Sequence, residues 1–167
     1  MSLDKLDNLI GTWMGDNVLH LSWMNPSEFH SPSELTIGRM VRDKFLTFNY
    51  KWSHENTPHE GLLLIGYDAE KEVVNATWVD SWHSSAKPLA LSGTVDEQGA
   101  MNLYGTYEVP NHPDWGWRIV VNALEDALQI EMFNVTPEAE EDLAVRADYK
   151  KARKEISETN DSKSVPE

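Results

Sequence analysis

From residue 11 to about residue 150 the apolar side chains recur at every second position, and no other feature of the chain limits its fold as much. Side chains in a strand point alternately to two faces, so this period makes one face of each segment apolar and leaves the other polar. Turn chemistry cuts the pattern into short pieces at Asn25-Pro26-Ser27, Arg42-Asp43, Pro58, Asp96 with Gly99, Pro110 with Pro113, and the acidic stretch 136–142. The spacing predicts strands over 34–42, 44–54, 62–67, 73–82, 88–95, 101–109, 115–123, 128–135 and 143–149, after a first strand carrying Trp13, Val18, Leu19, Leu21 and Trp23. A polar loop is expected through Pro32 and a turn over 55–59. Only residues 2–10 depart from the period: Leu3, Leu6, Leu9 and Ile10 have helical spacing, with Ser2 as a cap and Gly11 as a stop. The fold class that follows is all-β, an antiparallel up-and-down barrel of about ten strands with a short N-terminal helix. Closing a meander on itself removes the edges that so much sheet would otherwise expose.

A chain of 167 residues has the size of one domain. We read residues 1–150 as a single barrel domain and residues 151–167 as a charged, disordered tail. The net charge of −14 opposes binding to a phosphate backbone, so nucleic acid is not an expected partner. Without Cys there is no disulfide framework, no thiolate zinc site and no thiol catalysis. No apolar run has spanning length, and residues 1–10 lack the apolar core of a secretory leader. The expectation is a cytoplasmic protein with no membrane partner.

Candidate chemistry concentrates in residues 73–83, V-V-N-A-T-W-V-D-S-W-H. As one strand they would place Val74, Ala76, Trp78, Asp80 and Trp82 on the same side, a carboxylate between two indoles. A carboxylate among apolar rings has to be met by hydrogen-bond donors or a cation. Asp80 is therefore either a ligand-orienting group or general base whose pKa burial raises, or a structural carboxylate held by an Arg or by backbone donors. Arg118 alternates with Trp115 and Trp117, so facing inward it would partner Asp80 or a ligand carboxylate, and facing outward it is a surface charge. His83 is placed at the barrel mouth, as a proton shuttle or as a rim residue.

The stretch from His54 to His59 is one residue too long for H-E-x-x-H, and Pro58 bars the helix that motif needs. It is expected to be a solvated turn and not a metal site. Seven Trp, with Tyr50, Tyr67, Tyr104 and Tyr107, suit the lining of a cavity and the packing of a barrel core equally well.

Leu9-Ile10-Gly11-Thr12-Trp13, opening the first strand after a short helix, resembles the G-x-W signature of the calycin superfamily, which includes lipocalins, fatty-acid-binding proteins and nitrobindins. Together with Gly66-Tyr67-Asp68, Trp78-Val79-Asp80-Ser81 and Ser92-Gly93-Thr94, it is similar to a bacterial calycin-like family of unknown function over about residues 3–150. The resemblance implies a closed antiparallel barrel with a central cavity, and no particular reaction. It also implies that an Arg of the last strand, here Arg146, packs on Trp13. Nitrobindins hold haem through a His late in the chain, whereas the last His here is His112, so a haem function is not carried over.

The expected function is binding of a small apolar or aromatic molecule inside the barrel, with Trp78, Asp80, Trp82, His83, Tyr104 and Arg118 as ligand-binding residues. The alternative is a cavity enzyme of isomerase, cyclase or lyase type that uses Asp80 as acid or base. No cofactor and no metal is called for, and homo-oligomerisation is left open.

Overall fold

A computed structural model describes residues 3–84 and 86–153. These residues form ten strands: β1 (Gly11–His20), β2 (Glu28–Met40), β3 (Phe45–His54), β4 (Thr57–Asp68), β5 (Val73–Asp80), β6 (Leu89–Val95), β7 (Met101–Tyr107), β8 (Trp115–Ala123), β9 (Ala127–Val135) and β10 (Glu141–Lys151). Each strand pairs antiparallel with its neighbours in sequence, and β1 pairs with β10, from Trp13 opposite Lys151 to Leu19 opposite Val145. The sheet closes into a barrel and has no free edge.

Three strands, β2, β4 and β10, start two or more residues earlier than the spacing predicts. β2 begins at Glu28 and runs through the expected loop, because its inward positions there are polar and hide the period: Ser31 and Ser33 are buried. Ser31 Oγ accepts the main-chain N–H of Ser53 at 3.2 Å, and Ser33 Oγ donates to the carbonyl of Lys51 at 2.8 Å. β10 likewise begins inside the acidic stretch, at Glu141. The expected turn over 55–59 is the two-residue hairpin Glu55-Asn56, both left-handed, and Pro58 lies within β4.

One end of the barrel is plugged. A 3-10 helix, Leu3–Leu9, buries Leu3, Leu6 and Leu9 under the turns that join β2 to β3 and β6 to β7. Arg39 holds it from the side by pairing with Asp4 at 3.0 Å and with Asp7. Trp13 Nε1 donates to the carbonyl of Leu9 at 2.8 Å, which ties the plug to β1. The cation above the Trp13 ring is Lys151, with Nζ 5.3 Å from the ring centroid. This corrects the implied Arg146 contact: Arg146 falls on the outward side of β10, exposed and paired with Asp148 at 3.0 Å.

Inward side chains from all ten strands fill the interior, among them Leu35, Phe48, Ile65, Leu103, Ile119 and Ile130. Among these inward side chains lies a void of about 10 Å³ beside Asn17, Tyr50, Asp80 and Tyr149, room for about one water molecule. Core side chains take up much of the space expected for a central chamber, and a cleft of about 570 Å³ opens at the unplugged end. No helix among the described residues is long and apolar enough to cross a membrane. Of the tail expected over 151–167, Lys151 belongs to β10, and residues 154–167 lie outside the described residues.

Candidate binding cleft at the barrel mouth

Odd-numbered strands run from the plugged end to the open one, and even-numbered strands run back. This topology gathers residues scattered in sequence. His20 and His54 end β1 and β3, His30 and His59 lie near the starts of β2 and β4, and His83 and His112 lie in the loops after β5 and β7. All six histidines therefore stand at the mouth. So do six of the seven tryptophans, Trp13 at the plug being the exception. No three of the His, Asp and Glu side chains among the described residues are grouped to hold a metal ion.

The centre of this end is Asp80, the last residue of β5, only 4% exposed. Its Oδ2 accepts the Tyr50 hydroxyl at 2.9 Å and Trp52 Nε1 at 3.3 Å. Its Oδ1 accepts the main-chain N–H of Trp82 at 2.8 Å and of His83 at 3.0 Å, and lies 3.2 Å from His83 Nδ1. The Tyr50 hydroxyl in turn accepts Trp78 Nε1 at 2.9 Å. Tyr50 reaches the carboxylate because Gly61, opposite both residues in β4, has no side chain; a Cβ there would lie 2.1 Å from the Tyr50 hydroxyl.

Burial pushes the Asp80 carboxyl upward, but the side-chain hydrogen bond of His83 and the main-chain N–H groups of Trp82 and His83 outweigh it. The net effect holds Asp80 below the usual carboxylate range. Burial, with the Asp80 charge beside it, pushes Tyr50 well above the usual phenol range and keeps it a donor. Asp80 thus stays ionised and fully bonded, with no oxygen turned to open space. It is built to orient its neighbours and is a poor proton acceptor, which counts against the role of acid or base that the sequence allowed it.

The capping of residues 82 and 83 by Asp80 Oδ1 also ends the strand, since an Asp side chain bonding N–H groups two and three residues on is a turn-former. The Ser84 N–H bonds the Asp80 carbonyl at 2.9 Å, and the Asp80 N–H bonds Ser84 Oγ at 3.0 Å. Trp82 consequently leaves the inner face expected for it. It is 40% exposed and stands edge-on to His54 at 4.7 Å and His59 at 5.4 Å. The turn expected here is solvated over 55–58, but its two histidines are packed: His54 is buried and its ring meets Phe29 at 4.8 Å, while His59 is half-buried against Trp52 at 4.8 Å.

Two other candidates face outward. Arg118 lies on the outer wall, where Nε and Nη2 grip Glu141 at 2.6 and 2.5 Å and the guanidinium covers Phe133. Its neighbours Trp117 and Ile119 take the inner face, so no guanidinium meets Asp80. Tyr104, opposite Arg118 in β7, is 44% exposed and lies over Gly116 on the same outer wall. Trp78, Asp80 and His83 are brought together, then, and Tyr104 and Arg118 are not.

Beside His83 the mouth opens into a cleft of about 570 Å³ between His83, Ser84, Lys87 and Pro88 on one side and the ends of β7, β8 and β9 on the other. Its floor is Trp78 and Trp117, stacked with centroids 4.9 Å apart and planes 18° from parallel. Leu89 and Pro88 make an apolar wall, and His83, Asn134 and Tyr107 supply polar groups, the last two joined by a 2.9 Å bond from the Tyr107 hydroxyl to Asn134 Oδ1. Lys87 and Glu108 face each other across the rim at 3.9 Å. Trp117 and Tyr107 stood in the sequence only among the aromatics that suit a cavity lining and a packed core equally well, and nothing in the alternation marks Asn134.

Among solved structures, Rv2717c from M. tuberculosis superposes with a TM-score of 0.68 at 15% identity, over 90% of this chain and 97% of that one. The S-type phycobiliprotein lyase CPES from Guillardia theta superposes with a TM-score of 0.55 at 16% identity, over 92% of this chain and 94% of that one. At these identities the likeness speaks for the fold alone, the lipocalin-like barrel that the G-x-W start implies. A search of curated proteins returns no match. The pattern of one family runs from the plug helix to the last residue of β10, residues 4–151, and the chain accordingly belongs to that family, described as protein of unknown function (DUF1579).

Proposed function

We propose that this barrel binds a small apolar or aromatic molecule in the cleft at its mouth, over the Trp78 and Trp117 floor and with His83 and Asn134 as oriented polar contacts. One observation carries the reading. The cleft, about 570 Å³, falls in the size range of small-molecule sites and combines aromatic surface with a few convergent polar groups, whereas the void beside Asp80 measures about 10 Å³. A wider and more open groove of about 740 Å³ crosses the outer wall, where Thr36, Asn49, Lys51 and Glu60 line it and no pair of stacked indoles forms its floor. That a phycobiliprotein lyase is built on a barrel of this shape supports a fold able to carry such a site. The net charge of −14 favours neutral or cationic ligands over anionic ones.

Thermal unfolding across a panel of flat aromatics, phenolics and fatty acids tests the reading. A ligand at a hundredfold excess over its Kd stabilises by about 2.7 kcal/mol. For a chain of this size that raises Tm by roughly 5 to 10 °C. The expected result is such a shift with at least one flat ligand, lost in Trp117→Leu. A panel with no shift, or an equal shift in Trp117→Leu, would sink it.

A further inference from the structure

We propose that the cleft is also an acid-base site, in which His83 takes a proton from a flat aromatic substrate and Asp80 is the positioning residue. The inference rests on the binding reading above and goes beyond it to a reaction class.

The motivation is the way His83 is held. Its main-chain N–H and ring Nδ1 both face the same carboxylate oxygen, Asp80 Oδ1, at 3.0 and 3.2 Å. A neutral imidazole that donates Nδ1–H to a buried carboxylate keeps its lone pair on Nε2. That nitrogen has no hydrogen-bond partner among the described residues, and the ring, 14% exposed, lines the cleft. Asp80 itself is fixed from behind by Tyr50 and Trp52, so the imidazole cannot follow a moving carboxylate. Trp52, Trp78 and Trp117 surround the imidazole at centroid distances of 6.0, 5.9 and 5.4 Å. A base oriented by a carboxylate, free on its far side and walled by indoles is the arrangement that proton transfer needs.

The class of substrate follows from what surrounds that nitrogen. It is a small, flat, uncharged ring system with an acidic C–H beside a carbonyl or an equivalent electron sink. Nε2 takes the proton, the C–H electron pair stays with the substrate as an enolate, and the imidazolium returns the proton to a second atom of the same conjugated system. The outcome is an isomerisation that balances without oxidant, reductant or second substrate. Asp80 remains ionised throughout and stabilises the imidazolium.

Ring opening of 5-nitrobenzisoxazole reads this chemistry directly. A base removes the C3 proton, the freed pair completes the nitrile, and the N–O bond breaks to leave a coloured phenolate. The full chain is assayed beside binding of the unreactive analogue 5-nitrobenzotriazole by calorimetry. The expected result is an acceleration of about 10²- to 10⁴-fold over buffer at the same pH. His83→Gln should then lose at least about tenfold in kcat with KM within about threefold, the pattern of a group acting only in the transition state. Asp80→Asn should show the same split, and a merely structural Asp80 would lower the melting temperature and leave kcat of the folded protein unchanged. If the analogue binds and ring opening stays at the buffer rate, or His83→Gln is as fast as the parent, the acid-base assignment falls and binding stands. If neither is seen, both fall.

Discussion

At the scale of single residues the mouth depends on one buried carboxylate and on the space that lets a phenol reach it. Gly61→Ala would push its Cβ into the Tyr50 ring, and overpacking of a tight interior costs about 1 to 3 kcal/mol. Urea unfolding should show that loss, and Ala at the open position Gly38, where nothing lies within 4 Å, should not. Asp80 also sets an acid limit. Its folded pKa lies below the ordinary value of 3.8, so its stabilisation is present above that value and is lost as pH falls through it toward the folded pKa. Urea midpoints between pH 5 and about pH 2 should fall more steeply in the parent than in Asp80→Asn. Tyr149 sets the opposite limit. Burial pushes it up to about 12, against the Ser33 hydrogen bond that lowers it, so its contribution is complete below pH 10 and is lost as pH rises toward 12. Tyr149→Phe should flatten the stability profile over that alkaline range.

At the scale of elements, the plug and the meander do different work. The 3-10 helix closes one end of the barrel with three leucines, and Leu9 is fully buried beneath Trp13. Leu9→Ala should cost about 2 to 5 kcal/mol in chemical unfolding, the range for a large-to-small change in a closed core. Because the plug is at the far end from the cleft, that variant, where folded, should bind cleft ligands with the affinity of the parent. The elements were also the part most legible in sequence. Strict alternation with Gly, Pro and Asp punctuation predicted ten strands, and β8 coincides with its expected bounds. Misjudged boundaries share one physical cause: inward polar residues such as Ser31 and Ser33 bond across strands and break the apolar period without breaking the strand. The same limit applied at Asp80. Its type and burial could be read from the indoles around it, but whether it continues the strand or caps a turn depends on hydrogen bonds that alternation does not record. Trp82 was misplaced for that reason, and Arg118 and Tyr104 because a one-residue change of face decides between wall and core.

At the scale of the whole molecule, a closed meander sorts its residues along the barrel axis. Strand direction alternates, so side chains near one end of every strand meet at one mouth, whatever their distance in sequence. Six histidines and six tryptophans gather there, while Trp13 is sealed under the plug. On the binding reading proposed above, the barrel is a support for a site at its rim. The seven indole N–H signals of a ¹H–¹⁵N spectrum make that distinction visible during titration with a flat aromatic ligand. The expected result is that the Trp78 and Trp117 signals, on the cleft floor, shift together and saturate, while the Trp13 signal, bonded to Leu9 beneath the plug, stays in place. A titration in which Trp13 moves as far as Trp117, or in which the floor signals do not move although the ligand binds, would contradict a site at the mouth.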